Sequence, residues 1–167
     1  MSADDDIRDL VESKAITEVI HRYCYYLDNK EWDKMVGEIY APDGIDDHGE
    51  GPVQGSESLR DWFENSVSVN MAASAHTMTN IVIERDGDHA VVKSQVTAWV
   101  WTRETADKGN MRPADYVMSV GYLDELSKYP QGWRIDKRVV TWNHQSIVAA
   151  GVVPPSQAGV HSLAAAR

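Results

Sequence analysis

The chain has 167 residues, 43% hydrophobic and 25% charged, which suits one globular domain with a sizeable core. Its formal net charge of −10 argues against nucleic acid or an anionic membrane as partner, because phosphate surfaces are bound through clustered Lys and Arg. The one cysteine, Cys24, excludes an internal disulfide and a Cys-based zinc site, and the acidic start Met1-Ser-Ala-Asp-Asp-Asp is unlike a signal peptide, so a cytoplasmic protein is expected.

The first predicted element is a helix from Asp4 to Leu27, with an apolar stripe at Ile7, Leu10, Val11, Ile16, Val19, Ile20, Tyr23, Cys24 and Leu27. Asp28-Asn29-Lys30-Glu31 breaks it, and a short helix carrying Trp32, Met35, Val36, Ile39 and Tyr40 follows, closed by Pro42-Asp43-Gly44. Residues 45–55 read as irregular with one or two short strands, and Gly55-Ser56 opens a third helix carrying Leu59, Trp62, Phe63 and Val67.

Beyond Ala75 the apolar period becomes that of strands. His76–Glu84 and His89–Thr102 flank Arg85-Asp-Gly-Asp, a hairpin signal, and Ala114–Leu126 with Trp133–Ile147 form a second hairpin. The expected class is α+β: three N-terminal helices on a curved, mostly antiparallel sheet that wraps a pocket. Residues 1–150 form this domain, and residues 151–167 form a C-terminal tail or arm. Six Trp and seven Tyr against one Phe fit a wet pocket or interface, since both rings carry a polar tip.

Two stretches concentrate the chemistry: Ile20-His-Arg-Tyr-Cys-Tyr-Tyr-Leu-Asp-Asn-Lys-Glu-Trp-Asp and Ser74-Ala-His-Thr-Met-Thr-Asn. By spacing alone, Asp28 reads equally as a helix cap, in Asp28-x-x-Glu31, and as a catalytic carboxylate. His76 alone reads as an ordinary half-buried strand residue. Together the stretches resemble the first helices and first long strand of the SnoaL-like, or nuclear transport factor two-like, superfamily. The nearest likenesses are to scytalone dehydratase, bile-acid dehydratases and hexachlorocyclohexane dehydrochlorinase.

The resemblance implies a cone-shaped, cystatin-like roll and a cofactor-independent lyase or isomerase. Its substrate would be a cyclic, aromatic or steroid-like small molecule, and the protein a homo-oligomer, trimer or dimer. It makes His76 the general base and Asp28 its carboxylate partner, a pairing that fixes the tautomer and raises basicity. Tyr23 is then either a donor to a substrate oxygen or a core aromatic. Tyr23 and Asp28, five positions apart, lie about 140° apart on a helix, and share a face only if it ends before Asp28.

Tyr26 and Tyr40 are further pocket candidates, and strand parity adds Met78 and Asn80 to the face of His76. On the second long strand Trp99 and Trp101 are assigned to the pocket in preference to Val100, and on the last strand Val140, Trp142 and His144. Here the chain departs from its relatives, which carry an acid or a second His near residues 99–102 and Arg on the last strand where this chain has Thr141-Trp142. His48 lacks any spacing that supports a metal site, and none is expected. The alternatives are a non-catalytic binding module or oligomeric subunit of the same fold, and a polyketide-cyclase-like or hydrolase activity.

Overall fold

The structure is a computed structural model and describes residues 2–108 and 113–141; the expected tail from Gly151 lies outside the described residues. Helix α1 (Ala3–Asn29) opens with a capping box, in which Ser2 Oγ accepts from the Asp5 N–H while the Asp5 carboxylate accepts from the Ser2 N–H. Ile16, Ile20, Tyr23, Cys24 and Leu27 are buried, whereas Ile7, Leu10 and Val11 stay exposed, so only the second half of the predicted stripe enters the core. The helix runs on through Asn29 and stops at Lys30, whose left-handed φ of 58° turns the chain.

Helix α2 (Trp32–Lys34) loosens into a π-helical turn (Met35–Ile39), and strand β1 (Tyr40–Asp47) follows directly. This differs from the expectation that Pro42-Asp43-Gly44 ends a helix. The three residues instead form a bulge, where the parallel register with the last strand jumps between Tyr40 and Ile45. Gly44 is required there: a Cβ would sit 2.9 Å from the Ala41 carbonyl oxygen and 3.1 Å from that of Ile135. Strand β2 (Val53–Gln54) and helix α3 (Ser56–Trp62), with its π-helical turn (Phe63–Val67), complete the first half.

Strands β3 (Met71–Asp86), β4 (His89–Thr102), β5 (Tyr116–Tyr129) and β6 (Gly132–Thr141) follow, with a short 3-10 helix (Arg103–Lys108) after β4. The six strands form one sheet in the order β2-β1-β6-β5-β4-β3, antiparallel except where β1 joins β6. The expected α+β roll is therefore the fold. The helices cover the concave face with Ile16, Ile20, Leu27, Met35, Leu59 and Phe63, and leave the convex face uncovered by any described element. Among the described residues no helix is long and apolar enough to cross a membrane.

Candidate active site

Between the second half of α1, the turn after α3 and the concave sheet face lies a cavity of about 310 Å³, within the range of small-molecule sites. Its walls are largely apolar, from Leu27, Val96, Ala98, Val100, Val120 and Val140, with two histidines, His48 and His76, among them.

His76 enters from β3. Its Nδ1 lies 2.5 Å from Asp28 Oδ1, its backbone N–H donates to Asp28 Oδ2 at 2.8 Å, and the Ser74 hydroxyl donates to Oδ1 at 2.8 Å. A carboxylate can only accept, so Nδ1 carries the proton and Nε2 keeps its lone pair for the cavity. Burial pushes the Asp28 carboxyl up, but the His76 ring, its backbone N–H and Ser74 outweigh this and hold it below the usual carboxylate range. Among the described residues the hydrogen bonds of the Asp28 carboxylate are thus all with β3. The N-cap of α2 is Glu31, and the capping alternative for Asp28 gives way to the His76 pairing.

Because α1 continues past Asp28, Tyr23 and Asp28 do not share a face: Asp28 turns to the β3 edge, while Tyr23 lies fully buried on the cavity floor. Among the described residues the buried Tyr23 hydroxyl has no partner in hydrogen-bond geometry, and burial pushes its phenol well above the usual range, so it stays a neutral donor. Below it a buried cation spreads under two rings. Arg138 lies 3.9 Å from the Tyr23 ring centroid and 4.2 Å from that of Tyr122. Its guanidinium donates to both oxygens of Asp124, at 2.6 and 2.7 Å, and both residues are fully buried.

A second carboxylate–imidazole pair stands at the end of β1. Asp46, fully buried, accepts a very short hydrogen bond from the Tyr40 hydroxyl, and its Oδ1 lies 2.7 Å from His48 Nδ1, off the line of an ideal hydrogen bond. The His48 ring packs 4.8 Å from the Trp62 ring and lines the cavity. Burial pushes the Asp46 carboxyl up, and His48, Arg138 and Tyr40 together hold it below its usual value.

The other predicted positions separate. Val140 lines the cavity; Trp142 and His144 lie outside the described residues. Tyr26 points the other way and donates to Glu38 at 2.5 Å, and Tyr40 is buried beneath the floor on Asp46. Met78 shares the inner face with His76 but packs in the core beyond the wall. Asn80 does not face inward, because a bulge between Thr79 and Val82 gives it a φ of 52° and turns it to solvent. Trp99 and Trp101 occupy the convex face, since Val96, Ala98 and Val100 are the inner residues of β4. Sequence reasoning missed Arg138 with Asp124, Tyr116, Tyr122, Trp62 and the role of Asp46 beside His48.

Residues 8–139 match the model of the SnoaL-like domain. Curated protein sequences give no significant match. Among solved structures the chain is similar to hexachlorocyclohexane dehydrochlorinase LinA-type3 from Novosphingobium barchaimii LL02: 19% identity, TM-score 0.72, covering 90% of this chain and 99% of that one. A proposed scytalone dehydratase from Novosphingobium aromaticivorans DSM 12444 shares 19% identity at a TM-score of 0.67, covering 87% and 97%. A variant of Rv3472, a protein of unknown function from Mycobacterium tuberculosis, shares 26% identity at a TM-score of 0.72, covering 100% and 94%.

Proposed function

Because the chain belongs to the SnoaL-like domain family, and its fold is shared with a dehydrochlorinase, we propose that it is a cofactor-independent lyase. It eliminates water or halide from a cyclic or aromatic small molecule, or shifts a double bond within one, with His76 as general base. The observation that carries this is the Asp28–His76 pair, which leaves Nε2 as a basic atom in a largely apolar cavity.

In this chemistry Nε2 takes a proton from the carbon next to a carbonyl, the C–H electrons form the double bond, and the leaving group departs from the neighbouring carbon. Asp28 stabilises the imidazolium that forms, and a positioned base of this kind contributes on the order of 10²–10⁴ in rate. The neutral Tyr23 hydroxyl, with Arg138 behind its ring, steadies the negative charge growing on the carbonyl oxygen. Largely apolar walls suit a ring system.

The test is a panel of cyclic and aromatic β-hydroxy ketones, followed by the ultraviolet absorbance of the conjugated product. Turnover is expected from the wild type and its loss, by about 10²–10⁴, from His76→Ala with an unchanged thermal midpoint. Ligand affinity without turnover, or turnover that survives His76→Ala, would refute the proposal; the first outcome leaves a binding module. The half-exposed Trp99 and Trp101 on the convex face further support a homo-oligomer, with a second copy covering that face.

A further inference from the structure

The elimination needs a proton for the departing oxygen, and the cavity holds a second imidazole for which the base has no use. We propose that His48 is the general acid that protonates the leaving hydroxyl, with Asp46 as its positioning residue; this rests on the lyase reading above.

His48 follows β1, next to one end of the sheet order, and His76 belongs to β3 at the other end. Both nevertheless line one cavity, so a molecule held there meets two imidazoles. Each ring has its Nδ1 against a carboxylate, His76 on Asp28 at 2.5 Å and His48 on Asp46 at 2.7 Å, which directs each Nε2 away from its partner. Asp46 is itself fixed, by the Tyr40 hydroxyl on its other oxygen and by the nearby charge of Arg138, and Trp62 packs against the His48 ring. The surroundings divide the roles. Among the described residues the carboxylate beside His76 is Asp28, already engaged by three donors, whereas His48 has the buried Asp46 against its Nδ1, and Glu50 lines the same cavity.

The step balances. His76 Nε2 removes the proton next to the carbonyl, the double bond forms, the carbon–oxygen bond breaks, and His48 Nε2–H delivers its proton to the departing oxygen as water. His76 is left protonated and His48 neutral, and one proton exchanged with solvent through each ring restores the starting state.

A hydroxyl leaves only with a proton, whereas chloride leaves as a stable anion, so the two leaving groups separate acid from base. The experiment compares a cyclic β-hydroxy ketone turned over in the panel with the matching β-chloro ketone, after subtraction of the buffer rate, in wild type, His48→Gln, Asp46→Asn and His76→Ala. In His48→Gln the ratio of hydroxyl to chloride turnover falls by at least about 10². In Asp46→Asn it falls less, by about tenfold, because the ring is retained but loses its orientation. His76→Ala loses both substrates together. An unchanged ratio in His48→Gln, whether both rates fall or neither does, overturns the role of His48 and leaves the His76 proposal intact. Survival of both rates in His76→Ala overturns the parent proposal and this one with it. If His48→Gln fails to fold, Asp46→Asn decides on the same ratio.

Discussion

Replacing Asp28 with Asn tests the base assignment most directly, because the two side chains have nearly the same shape. The carboxylate accepts three hydrogen bonds, from the His76 ring, the His76 backbone N–H and the Ser74 hydroxyl. An amide has one accepting oxygen and one donating nitrogen. The backbone N–H of His76 cannot rotate away, so the Asn oxygen has to face it, and the amide nitrogen then meets His76 Nδ1. That nitrogen can only donate, so Nδ1 becomes the acceptor and the ring proton moves to Nε2, the atom that has to be bare for catalysis. The base is lost without any loss of shape.

The expected fall in turnover is about 10²–10⁴, equivalent to about 2.7–5.4 kcal/mol of transition-state stabilisation. Stability falls too: three hydrogen bonds to a charged acceptor, worth roughly 1.5–3 kcal/mol each, become neutral bonds worth about 1 kcal/mol, a loss of at least about 1.5 kcal/mol at neutral pH. Because the folded-state value of Asp28 is depressed, its contribution is fully present above about pH 4 and fades as pH falls through that lower value. The gap in thermal midpoint between wild type and variant should therefore narrow below pH 4. Turnover by Asp28→Asn within tenfold of wild type, on the β-hydroxy ketone that wild type accepts best, would refute the tautomer argument.

Asp124→Asn leaves the buried Arg138 without its counter-ion and should cost about 3–5 kcal/mol in denaturant unfolding, while Asp124→Leu with Arg138→Met should cost far less; equal losses would contradict a paired charge. Gly44→Ala presses a methyl group against two backbone carbonyls and should destabilise by about 1–3 kcal/mol, visible as a lowered thermal midpoint. Val100→Phe narrows the cavity from its inner wall and should weaken substrate binding, at a cost of about 1–3 kcal/mol in stability because Val100 also packs with Met71 and Tyr116. Trp99→Lys places a charge on the convex face, and light scattering should show a smaller assembly; an unchanged mass would mean that no copy packs on Trp99.

The helix–hairpin order was legible because periodicity is a local property: α1 and the β3–β4 pair stand where the apolar spacing put them. The pairing of Asp28 with His76 was not legible from spacing, since 48 positions separate them, and only the resemblance joined them. Trp99 and Trp101 went to the wrong side for a physical reason. Both faces of β4 carry apolar residues, so alternation splits them without saying which is inner, and ring chemistry was allowed to decide. The inner side of a strongly curved sheet has less room. With helices and a ligand also to be accommodated there, it favours Val96, Ala98 and Val100, while the bulky indoles fit the open convex face.

Two of the missed residues were within reach of the parity that found Val140. Arg138 lies two positions before Val140 on the same strand, which sets it on the inner face, and Asp124 is directly opposite it across β5. Lys137 and Arg138 look like a solvated face only when they are read as a run; read by alternation back from Val140, Arg138 has to point inward and needs a partner. The same step carried one residue past the end of β1 places Asp46 and His48, two apart, on one side of the chain. An inward carboxylate next to an inward imidazole is costly to bury unless the two serve each other, and this is the argument that makes His48 a candidate acid rather than an isolated histidine.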